Sequence, residues 1–401
     1  MLALCLTLCL SPQSPPEEPQ PRDLAALLGR EPACARVLAE AGAHRLQILL
    51  AEPVPRTGGG LGLRRSALGD ARQYFYPASA IKLCGAVAAL QALNAHNRAH
   101  GTAHGLASVL AIEPRFAGDA RIDGDASNVA GGSLTVAHAL RKLFLVSDNA
   151  AYNHCLEIAG QDGVNRAMWE AGFASVRLWH RLAESRTPAE NRVTRPVVLR
   201  DGAATTTLPG RDAGVRLAND LWHGLEVGTA HLADGKRIDA PMSFAEKNAI
   251  LLRDLQDVLV EVVRPEIDTG RVGFAGLTVA QRAFLVQAMG EVPRESANPK
   301  YDAETHPDHH CKFVLRGVRR VVPAEHLRVY DKIGRAYGFS IENAYIEDQR
   351  TGTGFFLAIV LYTNPDGVVN DDRYAYQELA DPFLDAAGET LARAVLGAAS
   401  R

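Results

Sequence analysis

Apolar and polar positions change period several times along this chain, and each change marks an element. From Asp23 to Gly42, Leu24, Leu27, Leu28, Val37 and Leu38 recur at helical spacing, which predicts a helix interrupted at Pro32. His44 to Glu52 carries Leu46, Ile48, Leu49 and Leu50 and reads as a buried strand. Gly58-Gly59-Gly60 then turns the chain into Leu61 to Leu68, the second strand of a hairpin. Beyond it, Leu83, Val87 and Leu90 return at helical spacing behind Tyr76-Pro77-Ala78-Ser79, with Pro77 placed where a missing N–H costs nothing.

The middle of the chain is predominantly helical. Thr135 to Val146 is amphipathic, with Ala137, Leu140 and Phe144 on one side, and ends in Ser147-Asp148-Asn149. Ala150 to Ala159 and Val164 to Ala171 continue as helices, the second closed by Gly172 in a left-handed cap. Arg181 to Pro196 is polar and irregular, and Val197 to Leu208 reads as a hairpin turning at Asp201-Gly202. Helices follow at Leu217 to Leu225, Ile250 to Val263 and Thr278 to Met289, the last capped by Thr278.

The final third alternates differently. Leu327 to Ile333, Phe339 to Asp348 and Gly354 to Tyr362 are strands whose short connections imply an antiparallel meander, and Leu379 to Leu396 closes the chain as a helix.

Composition narrows the class. The 401 residues are 47% hydrophobic and 22% charged with net charge −3, ordinary for a globular protein and without the basic excess that nucleic acid or an anionic membrane demands. Met1 to Leu10 is an apolar run of signal-peptide length, too short to span a bilayer, so export is expected, with a retained anchor or a misassigned start as alternatives. Residues 1–22 are expected to form this leader and a Pro-rich linker. Residues 23–401 are expected to form one domain with an expanded segment at about 195–273. Cys34, Cys84, Cys155 and Cys311 are far apart with no paired metal-ligand spacing, and Cys84 and Cys155 fit buried free thiols. His306-Pro307-Asp308-His309-His310-Cys311 has metal-ligating residue types but no remote partner set, so a polar loop is expected and no metal or cofactor.

The candidate chemistry starts at Ser79 and Lys82. Three residues apart on a helix, they share a face, and an amine whose pKa is lowered can take the proton of a hydroxyl nucleophile. Alone, that spacing is weak. Two further segments follow in order: Ser147-Asp148-Asn149 and, on a strand, Lys332-Ile333-Gly334.

Together these resemble the serine β-lactamase and penicillin-binding protein superfamily, whose triplet is Ser-x-x-Lys, Ser-Asp-Asn and Lys-Thr-Gly, and most closely its class A β-lactamase-related members. The resemblance implies an α+β fold: an antiparallel sheet built from the chain ends, flanking helices, and an all-helical subdomain from the middle. It implies Ser79 as nucleophile, Lys82 as base or relay, and Ser147 as proton donor to the leaving group. Asn149 would hold Lys82 and a substrate amide, and Lys332 would keep the field positive and attract a carboxylate. The strand through Gly334 would lie beside the helix start, so that the N–H groups of Ser79 and Arg335 form an oxyanion hole. The partner is then a small-molecule substrate, and a monomer is expected. A D-Ala-D-Ala peptidase or an esterase on the same scaffold, and a non-catalytic binder that keeps the pocket, are the alternatives.

Three departures accompany the resemblance. Ile333 replaces the usual hydroxyl residue, removing a carboxylate contact worth about 1–3 kcal/mol, for which Arg335 could compensate. Neither Glu184 nor Glu190 reproduces the Glu-x-x-Leu-Asn pattern of a class A deacylating base. The expanded segment is expected to cover the site and narrow its substrate range.

Overall fold

The structure is a computed structural model and describes residues 20–397. The apolar leader and the chain's last four residues lie outside the described residues.

Six strands form one antiparallel sheet: β1 (Gln47–Pro55), β2 (Leu61–Leu68), β3 (Leu327–Asp331), β4 (Gly334–Ala336), β5 (Phe339–Asp348) and β6 (Thr353–Tyr362). Their order is β3-β5-β6-β1-β2, with β4 also pairing β5, so the two chain ends interleave in one sheet. Strand period 2 sorts the side chains to two faces. Ile341, Tyr345, Phe356, Ala358 and Val360 point to one core; Ala344, Ile346, Phe355, Leu357, Ile359 and Leu361 point to a second. The C-terminal helix (Asp381–Val395) fills the second core with Phe383, Leu384, Ala387 and Leu391, and each buried Phe or Leu side chain among them contributes about 1.5–3 kcal/mol.

The first core holds the helical part. Its centre is the helix Lys82–His100, entered through a 3-10 turn at Ala78–Ile81 and closed by Gly101 in the left-handed region. This helix is long and apolar enough to cross a membrane, but it is mostly buried inside the protein. It packs on Asn149–Glu170 so closely that a Cβ on Gly85 would lie 2.6 Å from the Tyr152 ring. The two helices predicted at 150–159 and 164–171 are one run kinked at Gly160 (φ 75°). Thr135 and Thr278 cap their helices, and Gly172 takes the left-handed conformation expected of it.

The order of elements is thus the one that the apolar periodicity predicts, with three differences. Leu217–Leu225 is not helical. Its backbone is drawn to neighbours instead: His223 donates to the Arg72 carbonyl and accepts from Tyr74, while Arg45 binds the Gly224 carbonyl. Tertiary hydrogen bonds override the local apolar spacing there. The hairpin (Val197–Asp201 with Ala204–Leu208) turns on Gly202-Ala203, one residue later than expected, and pairs with an unpredicted strand at Val109–Ile112. The predicted strand Leu327–Ile333 breaks after Asp331. The Lys332 N–H still donates to the Asn343 carbonyl at 3.0 Å, and the register with β5 is unchanged on either side.

Within residues 195–273, the helix Leu252–Val263 packs under the sheet, its Leu255 carbonyl accepting from Asn343. The remainder forms short strand pairs. Ala230–Ala233 joins Val368–Val369 and Lys236–Ile238, and Glu226–Val227 joins Met242–Ser243.

Candidate functional site

Ser79 sits in the 3-10 turn, half-buried, one residue after Ala78, whose φ of +47° is unusual for a residue with a side chain. Its hydroxyl makes no hydrogen bond within the protein among the described residues. Lys82 begins the helix proper and is fully buried. Its Nζ donates to the Ser147 carbonyl (2.5 Å) and to Asn149 Oδ1 (2.7 Å), with Ser147 Oγ at 3.3 Å. Ser147 ends its helix at φ +56°, which turns both its carbonyl and its hydroxyl toward the lysines. Asp148 caps the following helix, accepting from the Ala151 N–H.

From the opposite side Lys332 Nζ donates to Ser147 Oγ (2.8 Å) and to the Ile333 carbonyl (2.9 Å). Ser147 Oγ therefore bridges two buried amines. Burial first, and the Lys332 charge second, push the Lys82 amine well below the ordinary lysine range. Burial brings Lys332 down to about 8, opposed by Cys311, Asp331 and Glu342. In its neutral form Lys82 has two N–H groups, which the Ser147 carbonyl and Asn149 Oδ1 take, leaving one lone pair to accept a proton.

Strand β4 completes the arrangement. A Cβ on Gly334 would lie 2.3 Å from the Pro77 carbonyl, 2.9 Å from Ala80 N and 3.0 Å from Ser79 N, so only glycine lets the strand approach the serine turn this closely. Lys332–Asn343 is a hydrogen-bonded pair, so in the same register Gly334–Ile341 is one too and Arg335–Ser340 is not. The Arg335 N–H therefore faces away from β5, on the free edge of β4. The Arg335 side chain is engaged within the protein. Its guanidinium bonds Ser340 Oγ at 3.1 Å, pairs with Asp381 of the C-terminal helix, and lies between the Phe313 and Tyr376 rings. Ile333 itself is buried.

Beneath Lys332 lies a cluster that the sequence did not reveal. Lys312 Nζ binds Asp331 Oδ1 (2.6 Å) and the carbonyls of Met289 and Val329. Glu342 and Asp331 face each other with no other donor for Asp331 Oδ2 or Glu342 Oε1. Burial, then the Asp331 charge, hold the Glu342 carboxyl well above its usual range. Cys311 is buried, its thiol pushed up to about 11 by burial against the opposing charges of the lysines. The four described cysteines are free and buried. No group of three His, Cys, Asp or Glu among the described residues is arranged to hold a metal.

The two candidate glutamates sit elsewhere in the segment predicted to be irregular. That segment is a loop whose neck closes on Glu157: Arg181 binds both its carboxylate oxygens (2.9 and 3.1 Å) and Arg195 a third contact at 2.9 Å. Inside the loop Asn153 holds Leu182 through its backbone N–H and carbonyl, and Ala183 takes φ +50°. Glu184 accepts from Arg186 Nε (2.7 Å) and Asn153 Nδ2 (3.1 Å), with Arg195 at 3.7 Å. Glu190 is the far half of a capping box with Thr187 and is exposed. Neither carboxylate bonds Ser79, Lys82 or Ser147 among the described residues.

Residues 66–209, which contain Ser79, Lys82, Ser147 and Asn149, match the model of the β-lactamase enzyme family. No curated protein matches the chain in sequence. Among solved structures, the fold is similar to a β-lactamase from Xanthomonas campestris (TM-score 0.50, 18% identity, 93% of this chain and 97% of that one). It is similar also to a β-lactamase from Burkholderia vietnamiensis (TM-score 0.50, 13% identity, 94% and 98%). The fold is the β-lactamase fold, and the superfamily that the three motifs resemble is the one these comparisons return.

Proposed function

We propose that the protein is an exported serine hydrolase of the class A β-lactamase type, a single domain with its expanded middle segment, that forms an acyl-enzyme on Ser79 with a β-lactam or related cyclic amide. The observation that carries this reading is the Ser147 hydroxyl held between two buried lysines beside an unbonded Ser79.

In the acylating step Ser79 Oγ attacks the amide carbonyl carbon while its proton passes to neutral Lys82 Nζ. The oxyanion is received by the N–H groups of Ser79 and Arg335, which preorganised donors of this kind stabilise by about 3–4 kcal/mol. The C–N bond then breaks, and the nitrogen takes the proton through Ser147 Oγ, which Lys332 polarises. Asn149 fixes Lys82 through its Oδ1 and leaves its amide N–H groups for substrate. Water must then add to the acyl carbon, break the acyl–Oγ bond and restore Ser79.

That last step favours a second reading. Glu184 is bound by Arg186 and Glu190 is spent as a cap, so neither of these two carboxylates stands ready to activate water. A D-Ala-D-Ala peptidase-type enzyme, acylated quickly by β-lactams and released slowly, fits this equally well. Pure protein mixed with a chromogenic cephalosporin, followed by absorbance and intact mass, separates the two. Sustained turnover supports the β-lactamase, a single burst with a stable adduct the peptidase. Both must vanish in Ser79→Ala, with a loss of about 10³-fold or more. No reaction with either a cephalosporin or a penicillin overturns the proposal.

A further inference from the structure

Beside the serine turn runs a cleft of about 1140 Å³, walled by the loop 179–192 on one side and by residues 243–247 of the expanded segment on the other. Tyr76, three residues from the nucleophile, and Tyr337, whose ring meets it edge-on, also line the cleft. The expanded segment thus supplies a wall of this cleft.

Four cations line it, and three are already engaged. Arg181 is spent on Glu157, Arg186 on Asp119 and Glu184, and Arg192 on the carbonyls of Ala213 and Val215. Lys247 is different. Half-buried, its ammonium has no hydrogen-bond or ion-pair partner among the described residues. Its backbone is nevertheless tightly held. The Lys247 N–H donates to the Phe244 carbonyl at 3.1 Å and its carbonyl accepts from Asn219 Nδ2 at 2.9 Å. The next residue, Asn248, is fully buried and clamps the opposite wall: its Oδ1 accepts from the N–H groups of Trp179 (2.7 Å) and His180 (3.1 Å). The cation is therefore presented from a rigid turn into a cleft, partly desolvated and uncompensated.

The Lys247 ammonium is the donor its surroundings leave free for an anion. His180, stacked on Tyr76, donates its Nδ1 proton to the Arg181 carbonyl at 2.5 Å, and burial lowers its pKa to about 4, so its Nε2 offers an anion no hydrogen. Of the lining acids, Glu184 is bound by arginine and Glu246 lies exposed on the rim. At the other end of the site, Ile333 has no hydroxyl and the Arg335 guanidinium is paired with Asp381.

We propose that Lys247 is a substrate-binding residue that receives a carboxylate on the acyl portion of the substrate, selecting acyl donors with an anionic side chain. The assignment rests on the acyl-Ser79 reading for its substrate, but its binding test does not.

Two penicillins that differ only in a free carboxylate on the acyl side chain are the probes. The wild type should acylate with a KM at least tenfold lower for the carboxylated one. Lys247→Met should erase that difference by raising the KM of the compound that carries the side-chain carboxylate, and Lys247→Arg should restore most of it. Calorimetry of both probes with Ser79→Ala reads binding without chemistry and should show the same Lys247 dependence in Ser79→Ala/Lys247→Met. Acylation without discrimination overturns the Lys247 assignment and leaves Ser79 chemistry standing. Lys247-dependent binding with no acylation overturns the acyl-enzyme and keeps the subsite. Binding of neither probe to Ser79→Ala overturns both.

Discussion

Two buried charge clusters face the same site and are built on opposite principles. Around Ser147, two amines, Lys82 and Lys332, share a hydroxyl and find only neutral oxygen acceptors, while the nearest carboxylates lie beyond hydrogen-bond reach. Around Glu157, two guanidiniums close on one carboxylate with five contacts between 2.7 and 3.1 Å that use both its oxygens, counting the Arg195 N–H among them. Burial is the same in both places. The first cluster leaves a lysine with its proton affinity lowered and a lone pair available, which is chemistry. The second gives each of its ions an opposite charge at hydrogen-bond distance, which is architecture: it fixes the neck of the 181–195 loop. A buried ionisable group is a reactive candidate only when its partners fail to match its charge.

The comparison breaks most visibly at Gly334. The Cβ of Gly334→Ala cannot fit against the Pro77 carbonyl and Ser79 N, so the strand must move away from the serine turn. Misplacing an oxyanion donor by about 1 Å costs about 100-fold in rate. Acylation measured by stopped flow should fall by about that factor, with the melting temperature lowered only by the cost of one overpacked contact, about 1–3 kcal/mol. Unchanged acylation would mean that the Arg335 N–H is not part of the site.

Lys332 gives the next largest effect and its sign is fixed by its pKa. With a folded value of about 8, below the ordinary lysine value, it is charged below pH 8 and neutral above. Acylation should rise through the depressed pKa of Lys82, which must lose its proton, and fall again near pH 8 as Lys332 loses its own. Lys332→Arg keeps its charge throughout, so the alkaline limb should disappear even if the plateau drops tenfold. A limb that persists near pH 8 in this variant assigns it to another group.

How much of this was legible differs between the two clusters for a physical reason. Ser79-x-x-Lys82 and Ser147-Asp148-Asn149 are local patterns, and Lys332-Ile333-Gly334 lies on a strand whose apolar neighbours announce it. The Glu157 neck joins residues 24 and 38 positions apart, and Glu157 sits in a run whose spacing says only helix. The same holds for Lys312, Asp331 and Glu342, which come together through the sheet. The left-handed backbone at Ala78 and Ser147 leaves no mark in composition, since neither residue is glycine. Short strands such as Glu226–Val227 carry too few residues to show a period. The non-helical Leu217–Leu225 shows the reverse error, a good local pattern overruled by distant donors.

The smallest expected effects separate the two glutamates within the loop. Glu184→Gln keeps the shape and can keep the hydrogen bond from Arg186 Nε, at the expense of the one from Asn153 Nδ2, and Arg186 retains Asp119. Deacylation, read from adduct decay by mass, should change less than about threefold, whereas loss of a true general base costs about 10²–10⁴-fold. Glu190→Ala should leave both rates alone and act on stability. Backbone and side-chain hydrogen bonds from Thr187 hold the Glu190 carboxyl below its ordinary value, so its contribution is present above the unfolded pKa and lost as pH falls through the folded one. The melting-temperature difference between wild type and Glu190→Ala should therefore be small at neutral pH and shrink further on acidification. A difference that grows toward acid, or a rate change in this variant, would show that the loop's exposed acid does more than cap four residues of helix.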